Sequence, residues 1–230
     1  MKTAPNNANA DLPLREALVA TALRLDAQGL NRGSTGNLSV RASAAVAVPA
    51  FWVTPTGMSA ADLTAADLVC LDMNGTTLAG DWAPSSEWPF HRAIYAARAD
   101  LGAVVHMHSP NATALACLRR ELPAFHYMVA VAGGDSVPCT PYHLFGTQAL
   151  SEAVAAAFAL RHACLMANHG LVAGGTDLAH AAKVAVEVEA LCGIYLQALA
   201  VGEPLLLSAG QMAEVLDRFK SYGRTRRTSA

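Results

Sequence analysis

The segment Ala103-Val104-Val105-His106-Met107-His108 constrains this chain more than any other, because an apolar run ends in two histidines one residue apart. A β-strand repeats every second residue, so His106 and His108 point to the same face and aim two imidazoles at one place. A His-x-His pair alone often reflects two satisfied histidines in a sheet, and the chain has 8 His to distribute. Two further metal-capable side chains change the balance: Glu87 in Pro84-Ser85-Ser86-Glu87 and His169 in Asn168-His169-Gly170. Each sits at an expected element end beside Gly, Ser or Pro, where the ligands of a site on a rigid scaffold usually lie. Three histidines and one carboxylate suit a divalent ion of the zinc type, with a fourth ligand able to swing off and leave a position for substrate.

Around that strand, helices and strands alternate. Asp11 can cap a helix over roughly 12–28, with Pro13 in its first turn and Leu14, Leu18, Ala22 and Leu25 on one face. Asn37–Arg41, Phe51–Thr54 and Leu68–Asp72 read as short strands, and Met73-Asn74-Gly75 turns the chain into Thr76–Leu78. The spacing of Phe90, Ala93, Ile94 and Ala97 predicts a helix over Ser86–Ala97, followed by the strand Ala103–Met107 and a helix over about Asn111–Arg119. Then come a strand near Phe125–Val131, a helix over about Thr147–Leu160, a buried strand at Ala163–Ala167, and closing helices near Leu178–Leu199 and Ala209–Ser221. Strands in a central sheet with helices on both faces make a three-layer α/β/α domain. The 230 residues, 53% hydrophobic, can bury a large core and are compatible with one domain over 1–230.

Composition excludes several classes. A formal net charge of −2 gives no reason to expect nucleic acid as a partner, and the basic run Arg224-Thr225-Arg226-Arg227 reads as a solvated tail. No apolar stretch reaches the ~20 residues of a membrane span. The segment Met1-Lys2-Thr3-Ala4-Pro5-Asn6-Asn7 lacks the apolar core of a signal peptide, so a cytoplasmic location is expected. Cys70, Cys117, Cys139, Cys164 and Cys192 are odd in number and mostly inside apolar runs, which reads as reduced, buried thiols.

A second constellation suits an anion. Gly36-Asn37, Thr56-Gly57 and Ser85-Ser86 offer amide, hydroxyl and backbone N–H donors, and Ser85-Ser86 is expected at a helix N-terminus, where free N–H groups favour a phosphate. Singly, such residues serve caps and turns. Three such segments together, one of them directly before Glu87, favour a phosphate beside the metal.

Seven segments occur in the order found in the class II aldolase/adducin family, which this chain resembles from about Leu14 to Tyr222. They are Gly33–Arg41, Thr54-Pro55-Thr56-Gly57, Pro84–Glu87, Ala103–His108, His126-Tyr127, Val137-Pro138-Cys139 and Asn168-His169-Gly170-Leu171. The resemblance implies a mainly antiparallel central sheet and one Zn2+ per subunit, or another divalent metal, on Glu87, His106, His108 and His169. It also implies a substrate phosphate held by Gly36, Asn37, Thr56, Gly57, Ser85 and Ser86. Glu87 would be ligand and general base in turn. Tyr127 would be the acid, reaching into a neighbouring subunit's site in a homo-oligomer, the cyclic homotetramer of the family. Phe145 and Tyr222 match residues at the aldehyde end.

The implied reaction is metal-dependent retro-aldol cleavage of a ketose 1-phosphate, such as L-fuculose 1-phosphate, to dihydroxyacetone phosphate and an aldehyde. Lys183 and Lys220 fall in expected amphipathic helices and no lysine lies beside the metal motifs, so an imine mechanism lacks a carrier. Relatives on the same scaffold are 3-oxo-tetronate 4-phosphate decarboxylases, pentulose-phosphate 4-epimerases, which carry aspartate where Glu87 stands, dehydratases, and non-catalytic adducin scaffolds. The chain departs from the family pattern at Met107, at Asn168, in the apolar stretch 42–50 and in the basic tail 224–230.

Overall fold

The computed structural model describes residues 11–220. Tyr222 and the basic run Arg224–Arg227 lie outside the described residues. The strands are β1 (Asn37–Arg41), β2 (Ala50–Val53), β3 (Val69–Asp72), β4 (Thr77–Ala79), β5 (Ala103–Met107), β6 (Cys139–Thr140), β7 (Ala163–Met166) and β8 (Gly170–Gly175). They form one sheet in the order β4-β3-β2-β1-β5-β8-β7-β6. Every pairing is antiparallel except β6 with β7. The helices are α1 (Leu12–Ala27), α2 (Trp88–Ala97), α3 (Pro110–Cys117), α4 (Gln148–Ala157), α5 (Leu178–Val201) and α6 (Ala209–Phe219).

Strand alternation divides the core into two layers. Val105 and Met107 face one side with Leu18 and Leu25 of α1, Leu115 of α3 and Val184 and Val188 of α5. Val104 faces the other side with Phe90 and Ile94 of α2 and Leu150 and Val154 of α4. Leu18 and Leu25 are wholly buried, and each such leucine is worth ~1.5–3 kcal/mol of apolar burial. The three-layer α/β/α arrangement with a mainly antiparallel sheet therefore follows from β5 being apolar on both faces. His106 shares the face of Val104 and lies edge-on to Phe90, with ring centroids 5.5 Å apart.

α5 is 24 residues long and apolar enough, by length and composition, to cross a membrane. That corrects the expectation that no stretch reaches such a length. Here its apolar side covers β8, β5 and α3. Its buried Glu189 accepts hydrogen bonds from Asn111 N (2.8 Å), Asn111 Nδ2 (2.8 Å) and Ala112 N (2.7 Å). A carboxylate there satisfies amides that the first turn of α3 leaves free, and it fixes the chain just beyond His108.

Four local expectations are corrected. Asp11 precedes α1 with φ 60° and makes no cap bond with its side chain. Its Oδ2 instead accepts from Ser43 N (3.0 Å) and Trp52 Nε1 (2.9 Å), which ties the helix start to the connection between β1 and β2. The segment read as a strand near 125–131 is a 3-10 helix over Tyr127–Ala132, with buried Val129 and Ala132 three residues apart on one side. Its run Tyr-Met-Val-Ala-Val-Ala lacks the polar alternation that separates a strand from a short helix. α2 starts at Trp88 with Glu87 at its N-cap, so Ser85 and Ser86 precede the helix rather than begin it. Of the cysteines, Cys117 is exposed and Cys139 half-buried, whereas Cys70, Cys164 and Cys192 are buried. β6 and β8 were not anticipated, since three glycines in Gly170–Gly175 weaken the strand signal.

Candidate metal centre

Three elements converge at the end of β5. His106 is its penultimate residue, His108 follows it, His169 stands in the turn between β7 and β8, and Glu87 caps α2. The ligand atoms of His106, His108 and His169 lie within 4.8 Å of one another. Glu87 Oε2 is 3.1 Å from His106 Nε2 and Glu87 Oε1 is 3.2 Å from His169 Nε2. His106 Nδ1 lies 2.9 Å from the Leu171 carbonyl, to which it can only donate, so Nε2 carries the free lone pair. The turn needs Gly170: a Cβ there would sit 2.7 Å from the Met107 carbonyl and 3.0 Å from the His108 ring. Asn168, with φ 55°, occupies the left-handed region that asparagine tolerates, and its Oδ1 accepts from Arg119 Nε at 2.9 Å.

The donor set fits a divalent cation. His106 Nε2 and His108 Nε2 are 3.1 Å apart, and Glu87 Oε1 is buried without a hydrogen-bond donor. Burial alone would raise the Glu87 carboxyl, but the His106 and His169 rings, when they carry positive charge, hold it well below the usual carboxylate range. Burial, with the neighbouring His106 and His169, pushes His108 down to about 4, so it is neutral and able to coordinate near pH 7. Three histidine nitrogens beside a carboxylate are a donor set that suits a divalent metal ion.

The expected phosphate segments are brought to the same end of the sheet. Pro55 and Pro84 form an antiparallel bridge, Ser85 N donates to the Thr54 carbonyl (3.0 Å) and Thr56 N to that of Ala83 (3.1 Å), so the segments that carry Thr56-Gly57 and Ser85-Ser86 are joined at the two prolines. Asn37 pairs with His106 across β1 and β5. Gly36 beside it is dictated by close approach, since a Cβ would stand 2.6 Å from the His106 carbonyl. Asn37 itself is buried and its Nδ2 donates to Glu87 Oε2 at 2.9 Å, so it serves the carboxylate in this structure.

A cavity of about 330 Å³ opens over Glu87, His108 and His169, with Ser86 and Phe145 in its wall. Asn168 also lines it, as do Thr35, Tyr142 and His143, which were not singled out from the sequence. Thr35 could have been found, because it lies inside the Gly33–Arg41 segment. Tyr127 is 50% exposed on the 3-10 helix, stacked on His126, and is not among the residues that line the cavity.

Fold and site together define an α/β protein built around a histidine triad able to hold a divalent metal. The chain belongs to the class II aldolase and adducin family: the family described as Class II Aldolase and Adducin N-terminal domain matches residues 16–196. It is 48% identical over 212 residues to the 5-methylthioribulose-1-phosphate/5-deoxyribulose-1-phosphate aldolase of Rhodospirillum rubrum, covering 92% of this chain and 93% of that one. It is 44% identical over 211 residues to the L-fuculose phosphate aldolase of Escherichia coli, covering 91% and 95% respectively. Among solved structures, an L-fuculose 1-phosphate aldolase superposes with a TM-score of 0.86 at 38% identity, over 90% of this chain and 96% of that one.

Proposed function

We propose that this chain is a zinc-dependent aldolase that cleaves a ketose 1-phosphate to dihydroxyacetone phosphate and an aldehyde, in the cytoplasm and as one domain. The observation that carries the reading is Glu87, whose carboxylate touches His106 and His169 at the floor of a cavity wide enough for a small sugar phosphate. A divalent ion on His106, His108 and His169 would supply a Lewis acid that stabilises the negative charge left on the three-carbon fragment.

The protein's own groups do the rest. The backbone and hydroxyl donors of Gly36, Thr56, Gly57, Ser85 and Ser86, with the Asn37 amide, would hold the phosphate. In the condensing direction Glu87 would take a proton from the hydroxymethyl carbon of dihydroxyacetone phosphate. As that carbon bonds to the aldehyde carbon, the Tyr127 hydroxyl gives its proton to the aldehyde oxygen; cleavage runs the same transfers backwards. Tyr127 is half exposed and outside its own cavity, which supports its service to a neighbour in a homo-oligomer, proposed as a homotetramer. Phe145, 61% exposed at the cavity, and Tyr222 are assigned to the aldehyde end.

The relatives' names give the substrates to try: 5-methylthioribulose 1-phosphate, 5-deoxyribulose 1-phosphate and L-fuculose 1-phosphate. Release of dihydroxyacetone phosphate from any of them, coupled to its reduction, is the expected result. Failure on all three, with carbon dioxide released from a 3-oxo acid phosphate, would replace the aldolase reading with the decarboxylase one.

A further inference from the structure

Behind Glu87 a file of buried polar groups crosses from α2 to β1. Asn37 Nδ2 is 2.9 Å from Glu87 Oε2, His91 Nε2 is 2.6 Å from Asn37 Oδ1, Ser39 Oγ is 2.7 Å from His91 Nδ1, and the Tyr95 hydroxyl is 2.8 Å from Ser39 Oγ. Elementary donor counting assigns every hydrogen. An ionised carboxylate only accepts, so Asn37 must present Nδ2 to Glu87 and Oδ1 to His91. Oδ1 only accepts, so His91 carries its proton on Nε2. A neutral imidazole has one N–H, so Nδ1 accepts from Ser39, whose oxygen accepts in turn from Tyr95. His91 is wholly buried, and burial with the nearby His106 pushes it down to about 3, so it stays neutral near pH 7.

We propose that His91 is a positioning residue for Glu87: its Nε2–H locks the Asn37 amide so that Nδ2, and not Oδ1, faces the carboxylate. The lock matters because the two ends of an amide have nearly the same shape, and packing alone does not choose between them. A flipped Asn37 would turn an acceptor toward Glu87 and release the carboxylate from its alignment with His106 and His169. His91 follows Glu87 by one helical turn, so α2 itself sets the distance between base and lock. The inference rests on the reading of Glu87 as ligand and base.

Two substitutions separate this role from simple packing. His91→Gln places an amide N–H near the former Nε2 and keeps the donor to Asn37, whereas His91→Asn reaches only the Nδ1 position and loses it. Both remove the ring that stacks on Phe90 at 4.7 Å, so both should lose similar thermal stability. Partners of a metal-site residue typically contribute 10–100-fold, so His91→Asn should lower kcat at least ~10-fold with KM little changed, and His91→Gln should restore most of it. Cobalt(II) titration of the metal-free protein, read by visible absorption, should show a ~10-fold weaker site in His91→Asn and a near wild-type site in His91→Gln.

Equal effects of the two variants in that titration would overturn the proposal, because only the ring would then count. If neither variant folds, Ser39→Ala leaves the ring in place and removes its orienting donor; an unchanged cobalt spectrum and affinity there would equally overturn it. If the wild type cleaves no ketose phosphate, the aldolase reading falls while the cobalt comparison still decides the role of His91.

Discussion

Glu87 Oε1 stands 3.2 Å from His169 Nε2, joining the N-cap of α2 to the turn between β7 and β8. The same carboxylate reaches His106 through its other oxygen at 3.1 Å, so one side chain spans two of the three imidazoles. A ligand role and a base role for that carboxylate are separable by experiment.

Native protein is expected to hold about one divalent ion per chain, as a site with this ligand set does. His106→Ala removes the buried ligand whose tautomer the Leu171 carbonyl sets. Elemental analysis of the two proteins should differ sharply, and equal metal content would end the assignment.

Glu87→Gln keeps the size of the side chain and one oxygen able to coordinate but removes the proposed base. The three histidines should retain the ion, while turnover falls roughly 10²–10⁴-fold, the usual worth of a general base. Exchange of the dihydroxyacetone phosphate methylene proton with heavy water should fall with it. A metal-loaded variant that exchanges at the wild-type rate would move the base elsewhere.

Tyr127 is half exposed, and the proposed role for it across a subunit interface has a direct test. Inactive Tyr127→Phe subunits mixed with inactive His108→Ala subunits should recover part of the activity after subunit exchange. No recovery, with exchange verified by mass, would return Tyr127 to its own chain or remove it from the reaction.

Acid should destabilise the fold before the carboxylates titrate. His91 is depressed from its ordinary 6.5 to about 3 by burial, so between those values the unfolded chain binds a proton that the folded one refuses. Stability is then fully present above pH 6.5 and is lost as pH falls through this window, at up to ~1.4 kcal/mol per pH unit for one such group. Urea unfolding of metal-free protein between pH 6.5 and 5 should show a shallower pH slope for His91→Gln than for wild type. Identical slopes would mean that His91 takes up its proton in the folded protein.

The ligand strand was legible because a period of two and an apolar run are local properties, and β5 matches Ala103–Met107 as read. Helices α1, α4 and α5 were legible within a few residues for the same reason, their apolar spacing being 3.6. The 3-10 helix over Tyr127–Ala132 was not, since a short apolar run fits either period and its neighbours choose. His91 and Tyr95 belong to no motif in the sequence, and Ser39 falls within the expected strand Asn37–Arg41. The one local hint was that His91 lies a helical turn beyond Glu87.

By itself, then, the order of residues determined which side chains could bind a metal and which strand would carry two of them, because periodicity and residue chemistry act over a few positions. The tertiary structure alone decided that Asn37 turns to Glu87 and that His91 holds it there. Those relationships depend on hydrogen-bond directions across β1, α2 and β5, elements far apart in the chain that meet only when both faces of the sheet are buried.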